Sequence, residues 1–81
     1  MHYTYQPKGV CSVQIDFDVE DDRLYNVQYI RGCNGNLKGI GALVEGMKVE
    51  DVIKKLKGIK CGMKDTSCPD QLARALEEIK E

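Results

Sequence analysis

The sequence predicts an α+β domain in which an amino-terminal antiparallel hairpin, extended by a third strand into a small sheet, packs against about three helices. Two observations support the sheet: apolar and polar residues alternate from Val10 to Val19, and a second strand-like run follows from Leu24 to Cys33. A third supports the helices, because apolar residues recur at helical spacing through the second half. We expect one domain, 1–81, whose thin core a metal or a crosslink would stabilise.

Composition and charge argue against several functional classes. With 12 Lys and Arg against 13 Asp and Glu, the formal net charge is −1, which gives no electrostatic basis for binding nucleic acid or an anionic membrane. No run approaches the ~18 apolar residues of a membrane span. The amino terminus lacks a signal pattern, so we expect a cytoplasmic protein. Four cysteines in such a chain indicate metal or redox work rather than disulfides.

A short strand is predicted at the amino terminus. His2-Tyr3-Thr4-Tyr5 alternates, and Pro7, which cannot donate a ladder hydrogen bond, follows it. We therefore expect an edge strand that ends before Pro7.

The next two strands form the predicted hairpin, separated by the polar turn Glu20-Asp21-Asp22-Arg23. One face of the first strand comprises Cys11, Val13, Ile15, Phe17 and Val19, and the opposite face comprises Ser12, Gln14, Asp16 and Asp18. The second strand has Tyr25, Val27, Tyr29, Arg31 and Cys33 on a common face.

The register of this hairpin determines which cysteines become neighbours. A slip by one residue would set an apolar face against a polar one, so the apolar faces define the register. We expect the pairs Phe17 with Val27 and Ile15 with Tyr29. Continued, this register places Cys11 opposite Cys33 with Cβ atoms ~5 Å apart, close enough to bind one metal ion.

Two helices are predicted between the hairpin and the last cysteines. Asn34 or Asn36 can cap the first, Gly46 ends it, and its apolar positions are Leu37, Ile40, Val44 and Met47. Close packing against another element can explain its internal Gly39 and Gly41. The second helix starts at Lys48 and closes at Gly58, with a buried stripe of Val49, Val52, Ile53 and Leu56.

The third helix is predicted from Pro69 to Lys80. Ser67 or Cys68 can serve as its N-cap, and Pro69 suits the first turn because the amide hydrogen it lacks has no partner there. Ser67 followed three positions later by Asp70 is a capping-box variant. The apolar stripe comprises Leu72, Ala75, Leu76 and Ile79.

Four cysteines lie at the boundaries of these elements and are the candidate metal ligands: Cys11, Cys33, Cys61 and Cys68. Tetrahedral four-thiolate sites draw ligands from such positions and suit zinc, the metal we expect, or iron. A helix N-terminus favours a thiolate at Cys68, and Gly62 frees the backbone beside Cys61. The intervals between the cysteines match no standard zinc-finger spacing, so the prediction depends on folding bringing them together.

Other interpretations remain open. The cysteines can be small buried core residues, or Cys61 and Cys68 can act as a thiol–disulfide pair. The glycine-containing turn Gly32, Asn34, Gly35, Asn36 before a helix can bind a nucleotide phosphate, although it lacks the lysine and hydroxyl of a P-loop. Tyrosines on one surface of a thin sheet favour a homodimer. No serine or cysteine has a histidine partner that would indicate hydrolytic catalysis.

The sequence resembles one known family. Thr66-Ser67-Cys68-Pro69-Asp70 is the signature that names the TSCPD domain, and three further blocks are similar to that family: Gly32 to Leu37, Leu43 to Gly46 and Gly58 to Gly62. The resemblance extends from about Val10 to Leu76 and is strongest to short, stand-alone four-cysteine members. The domain also occurs at the carboxyl end of cobalamin-dependent class II ribonucleotide reductases.

The resemblance implies a part in deoxyribonucleotide synthesis, with the four cysteines as metal ligands or redox groups. It implies an accessory or regulatory module whose partner is a ribonucleotide reductase chain or another protein. Short members often carry the label ribonucleoside-diphosphate reductase. A chain of 81 residues cannot enclose the barrel and radical cofactor of such an enzyme, so enzymatic activity of its own stays an open question.

Overall fold

A three-stranded antiparallel sheet comes first in the chain and three helices follow it, as the α+β prediction requires. The computed structural model describes residues 1–10, 12–31 and 34–80, with residues 34 and 80 described by their backbone. The strands are β1 (His2–Tyr5), β2 (Gln14–Glu20) and β3 (Arg23–Ile30). The helices are α1 (Asn34–Val44), α2 (Val49–Leu56) and α3 (Cys68–Lys80).

The β2–β3 hairpin closes through a two-residue turn. Glu20 pairs with Arg23, and Asp21 and Asp22 between them have φ angles of 51° and 65°. Positive φ at both central positions is the type I′ geometry, whose twist matches that of the flanking strands, and Asp tolerates it better than most residues. The predicted turn is confirmed.

The predicted amino-terminal edge strand is also confirmed. β1 runs antiparallel to β2 and makes the sheet order β1-β2-β3, with Tyr3 opposite Phe17 and Tyr5 opposite Ile15. The rings of Tyr3 and Phe17 stack with centroids 5.6 Å apart. The tyrosines of β1 therefore pack on the core side of the sheet.

A β-bulge in β3 modifies the predicted register. The pairing shifts by one residue between Asp16 and Asp18, so Asn26 and Val27 both lie opposite Phe17. Asn26 accommodates the extra residue with a φ of 56°, a left-handed conformation that asparagine adopts more readily than most residues. The predicted direct pair of Phe17 with Val27 is thus replaced by a two-against-one arrangement.

The bulge changes which side chains of β3 reach the core. Ile15 pairs with Tyr29 as predicted. Beyond the bulge, Leu24 is fully buried, whereas we expected its neighbour Tyr25 on the core face. That expectation is wrong, because Tyr25 pairs with Asp18 on the polar face of the sheet.

β2 begins later than predicted. The strand starts at Gln14, and the expected alternation is reversed just before it: Ser12 is buried, whereas Val13 is 51% exposed. The Val13 amide still donates to the Ile30 carbonyl at 2.9 Å, which holds the incoming chain against β3. This irregular entry turns the Ser12 side chain inward.

The predicted apolar stripes of α2 and α3 are confirmed, and α3 begins one residue before the prediction. Leu37, Ile40 and Val44 lie on α1 as predicted, but Met47 follows the end of that helix and packs against the core from there. The core joins one face of the sheet to the helices and comprises Ile15, Phe17, Leu24, Val44, Val49, Val52, Leu72, Ala75 and Leu76. α1 approaches β3 closely, since a Cβ at Gly41 would lie 2.9 Å from the Val27 carbonyl oxygen. Close packing is thus confirmed for Gly41 and wrong for Gly39, which has open space around it among the described residues.

The start of α2 is fixed by the hairpin turn. The Val49 amide donates to the Asp22 carbonyl at 2.8 Å, and Arg23 forms an isolated β-bridge with Lys48. Lys48, the N-cap of α2, supplies no side-chain hydrogen bond to the helix. Across residues 34–80, none of the helices is both long and apolar enough to cross a lipid bilayer.

Candidate functional site

Cys68 is the first residue of α3 and lies against the segment that leads into β2. Its side chain is only 8% exposed, and its Sγ lies 3.3 Å from the Ser12 Oγ. The Cys68 thiol is free. The inward rotation of Ser12 therefore brings the residue that follows Cys11 in the chain into contact with the sulfur of Cys68.

Cys61 lies on the loop between α2 and α3, and its free thiol is exposed. Its amide donates to the Thr66 carbonyl at 3.1 Å, and its own carbonyl accepts from the Lys64 amide at 3.0 Å. Gly62 has a φ of 59°, a conformation that costs glycine little. The loop thus doubles back to the start of α3, and the expected backbone role of Gly62 is confirmed.

Ser67 is the N-cap of α3, as one of the two predicted alternatives states. Its Oγ accepts the Asp70 amide at 3.1 Å, and its hydroxyl donates to the Ile59 carbonyl at 2.7 Å. In a capping box the third residue of the helix would return a bond to the cap. Here the Asp70 carboxylate instead binds groups outside the first turn.

Asp70 is fully buried and anchors the loop before α3. Its carboxylate accepts the Gly58 amide at 2.7 Å, the Thr66 hydroxyl, and the Arg74 Nε at 2.9 Å. Burial alone would raise the pKa of this carboxyl. The hydrogen bonds from Thr66 and Gly58 and the charge of Arg74 outweigh burial, so the pKa lies below its usual value.

Thr66 and Gln71 extend this network to the amino-terminal segment. The Gln71 Nε2 donates to the Thr66 Oγ1 at 2.9 Å, and the Gln71 Oε1 accepts the Lys8 amide at 3.0 Å. A Cβ at Gly9, whose φ is 74°, would lie 3.3 Å from the Thr66 methyl group. Sequence reasoning did not identify Gln71, because its partner is 63 residues away.

Tyr29 connects β3 to the same turn. Its phenol donates to the Cys68 carbonyl at 3.0 Å. Burial, with a smaller contribution from the charge of Cys68, raises the pKa of Tyr29 well above its usual value. The phenol therefore stays protonated and remains a donor. Apart from the position of Tyr29 on the core face, no pattern in the sequence indicates this bond.

The comparison with protein-family models matches residues 3–80 to the TSCPD domain. The chain belongs to the TSCPD domain family. No curated protein and no solved structure matches it. The five residues that name the family lead into α3 and form its first turn. Four of them have roles that the structure defines: Thr66 and Asp70 in the buried network, Ser67 as the cap, and Cys68 beside Ser12.

Within this TSCPD domain, the other predicted site residues fall into two groups. Cys11, Gly32 and Cys33 lie outside the described residues, and so does the predicted pairing of the two cysteines. Asn34 begins α1, and Gly35 and Asn36 are exposed in its first turn. Nucleotide binding by this turn stays a prediction.

The four-cysteine site also stays a prediction. Residues 1–10, 12–31 and 34–80 contain no group of three or more His, Cys, Asp or Glu side chains placed to hold a metal ion, but two of the four TSCPD cysteines lie outside those ranges. In the same ranges, every buried side-chain nitrogen and oxygen has a hydrogen-bond partner. The buried polar network of the motif is thus complete in itself.

Proposed function

We propose that this TSCPD domain is a four-cysteine metal-binding module, with zinc as its metal, that serves as an accessory or regulatory partner in deoxyribonucleotide synthesis. The proposed ligands are Cys11, Cys33, Cys61 and Cys68. Bound zinc would crosslink the segments that carry these cysteines and supply no redox chemistry of its own. Iron suits the same four-thiolate geometry and is the alternative metal.

The observation that supports this proposal is the convergence of three segments on the first turn of α3. Ser12, which follows Cys11, contacts the Cys68 sulfur at 3.3 Å. The amide of Cys61 binds the Thr66 carbonyl. Tyr29, four residues before Cys33, binds the Cys68 carbonyl. Consecutive Cα atoms lie ~3.8 Å apart, so the distance of each cysteine from this turn is limited by the short piece of chain that joins it to the contact.

The chemistry around Cys68 fits a metal-bound thiolate. The Ser12 hydroxyl is within hydrogen-bond distance of the sulfur and can donate to it, as outer-shell groups commonly do for metal ligands. Cys61 stands on an exposed loop whose two ends are tied down by Asp70 and Thr66. One buried ligand and a second on a tethered loop would suit a structural site that closes when the metal binds.

Elemental analysis tests the metal. Protein purified without chelator should contain about one zinc ion per chain, and Cys68→Ser and Cys61→Ser should each abolish this content. Ala73→Ser, which places the same hydroxyl at a fully buried position of the same helix, should perturb packing and leave the metal bound. Metal-free wild-type protein with all four thiols open to a disulfide reagent would contradict the proposal.

A thiol–disulfide role is the second candidate, and the free thiols of Cys61 and Cys68 favour it. In that reaction the exposed Cys61 thiolate attacks a partner disulfide, releasing one partner thiolate and forming a mixed disulfide. Cys68 then displaces the second partner sulfur, so the partner gains two electrons and the domain is left with a Cys61–Cys68 disulfide. Incubation with oxidised glutathione followed by mass spectrometry should show that disulfide if this role is right, and zinc-protected thiols if the metal role is right.

The link to deoxyribonucleotide synthesis rests on the resemblance to the carboxyl-terminal domain of class II ribonucleotide reductases. We propose that the domain acts beside the catalytic part of such an enzyme. A binding assay between the metal-loaded protein and a ribonucleotide reductase chain from the same genome tests this link. We expect saturable binding that is lost with Cys68→Ser and kept with Ala73→Ser; the absence of binding by wild-type protein would remove the link and leave the metal proposal standing.

A further inference from the structure

The two cysteines that the structure describes lie in different surroundings. Cys68 is 8% exposed and begins α3, a helix of 13 residues, whereas Cys61 is exposed on the loop before that helix. Residues 57–65 are all exposed, and burial begins directly after them with Thr66. Under the proposed function both thiols bind one metal ion, so one ligand comes from the packed part of the domain and the other from its surface.

Three contacts hold Cys68 in place. Its sulfur lies 3.3 Å from the Ser12 hydroxyl oxygen, and its carbonyl accepts a hydrogen bond from the Tyr29 phenol at 3.0 Å. Ser67, immediately before it, caps the helix. Moving the Cys68 sulfur would therefore disturb contacts with β3 and with the segment that leads into β2.

Ser12 is buried at the expense of an apolar neighbour. Ser12 is 2% exposed, whereas Val13, which the strand alternation predicts on the core face, is 51% exposed. Exposing an apolar side chain and burying a hydroxyl both cost free energy, so the buried hydroxyl needs a hydrogen-bond partner. The Cys68 sulfur is that partner, and a thiolate is a much stronger acceptor than a thiol.

The loop that carries Cys61 is held through its backbone. The Cys61 amide donates to the Thr66 carbonyl at 3.1 Å, and the Gly58 amide donates to Asp70 at 2.7 Å. Neither bond involves the Cys61 side chain, which can turn toward a metal ion or away from it while the loop stays attached. A segment with exposed side chains and few buried contacts opens at a low free energy.

We infer that Cys61 leaves the metal before Cys68 when the metal is exchanged, and that Ser12 keeps Cys68 bound during this step. The inference rests on the proposed function, because it assigns different roles to two of the four ligands. The Cys61 thiolate gives up its bond to the metal and a donor atom of the acceptor takes its place, so no electrons are transferred. Ser12 is a positioning residue, since its hydroxyl acts on the Cys68 sulfur.

Labelling of the zinc-loaded protein with a limiting amount of N-ethylmaleimide tests the order. The reagent forms a carbon–sulfur bond with one thiolate and takes up a proton, and mass spectrometry of singly labelled chains identifies the cysteine. Cys61 should be labelled at least about tenfold more often than Cys68, because freeing the Cys68 sulfur also breaks a buried hydrogen bond. Equal labelling of the two, or more labelling of Cys68, would overturn the inference.

Variants of Ser12 test its positioning role. Ser12→Ala removes only the hydroxyl, so labelling of Cys68 relative to Cys61 should rise by about tenfold, the effect of one hydrogen bond to a charged group. Ser12→Thr keeps the hydroxyl and should keep the wild-type ratio. Thr4→Ala, which removes a hydroxyl from the outer face of the sheet, is the matched control and should not change it. An unchanged ratio in Ser12→Ala would overturn the role of Ser12.

Cobalt in place of zinc gives a readout that a change in packing alone would not move. Ser12→Ala should shift the charge-transfer band from thiolate to cobalt to lower energy, because a thiolate without a hydrogen bond is a stronger electron donor. Thr4→Ala should leave the band in place. A band that stays unchanged in Ser12→Ala would show that the hydroxyl does not act on the metal-bound sulfur.

The zinc content of the same sample, measured before labelling, separates this inference from the proposed function. Protein that holds about one zinc ion per chain and is labelled first at Cys68 would contradict the order and leave the metal site standing. Protein that holds no zinc would overturn both. If Ser12→Ala does not fold, the order measured on wild-type protein decides the inference.

Discussion

Two polar networks of this domain use similar groups in different surroundings. The motif turn, residues 66–71, holds a carboxylate, a threonine and an amide side chain in a buried network. The outer sheet face, the solvent side of the three strands, holds the same types of group. Asp18 accepts hydrogen bonds from His2 at 2.6 Å and Asn26 at 2.9 Å, and Thr4 donates to Asp16 at 2.9 Å. The first network connects segments that are distant in sequence. The second lies on a sheet whose strands are already joined by backbone hydrogen bonds.

The comparison indicates that burial, rather than the hydrogen bond itself, determines how much such a network contributes to the free energy of unfolding. The pKa of Asp18 lies below its usual value because Asn26 and then His2 donate to it, and that of Asp70 is lowered despite burial. Water can replace a lost partner at Asp18 and cannot at Asp70. The following substitutions are made in matched pairs, one in each network.

The largest effect is expected for Asp70→Asn. Asparagine keeps the shape but offers one acceptor oxygen to the Gly58, Thr66 and Arg74 donors, so a buried donor loses its partner. We expect the free energy of unfolding in urea to fall by about 2–4 kcal/mol. Asp18→Asn should give no change beyond the scatter of repeat titrations; equal losses in the two variants would contradict the comparison.

The loss of stability at acid pH should depend on the Asp70 carboxylate. A pKa that is lower in the folded than in the unfolded state contributes stability above the unfolded value, ~3.9 for Asp, and this contribution disappears as the pH falls through the folded pKa. Wild-type protein should therefore lose more stability than Asp70→Asn between neutral pH and about pH 2. Urea midpoints measured across this range check it, and parallel curves would show that Asp70 is not the group responsible.

Thr66→Val should be the next most costly change. The Thr66 hydroxyl donates to Asp70 and accepts from Gln71, so valine leaves the buried Gln71 amide without this acceptor and removes one of the donors to the Asp70 carboxylate. We expect a loss of about 1–3 kcal/mol by urea unfolding. Thr4→Val, the same substitution on the outer sheet face, should be close to neutral because valine suits a strand and water hydrates Asp16. A neutral Thr66→Val would show that the motif turn tolerates lost hydrogen bonds.

Tyr29→Phe should have the smallest effect of the buried changes. It removes one hydrogen bond to the Cys68 carbonyl, worth about 1 kcal/mol in thermal or urea unfolding. Tyr3→Phe removes a bond to the sulfur of Met1 at an exposed site and should have no measurable effect. If the Tyr3 variant lost as much stability as the Tyr29 variant, the buried hydrogen bond would contribute no more than the exposed one, against the comparison.

Much of the fold could be predicted because its signals are local. Helical periodicity located α3 to within one residue, and Ser67 was identified as a candidate cap from the spacing to Asp70. The hairpin turn followed from its polar residues. The bulge at Asn26 could not be predicted, because an extra residue in one strand leaves the alternation on either side intact and only reverses its phase.

The candidate site was predicted less completely because its contacts are long-range. The inward turn of Ser12 contradicts its place in the alternation, and its contact with Cys68 spans 56 residues. The hydrogen bond that the Gly58 amide donates to Asp70 joins the loop after α2 to α3 and has no local pattern. The residues of the motif were therefore predictable from the sequence. The side chain of Asp70 was predicted to cap α3, whereas in the structure it holds the loop that carries Cys61.

X-ray absorption at the zinc edge, on protein purified without chelator, tests the central proposal of a four-cysteine metal site most directly. We predict a first shell of four sulfur atoms at ~2.3 Å from zinc in wild-type protein, and loss of the zinc in Cys68→Ser. Nitrogen or oxygen atoms in that shell, or protein that contains no metal while its fold remains intact, would contradict it.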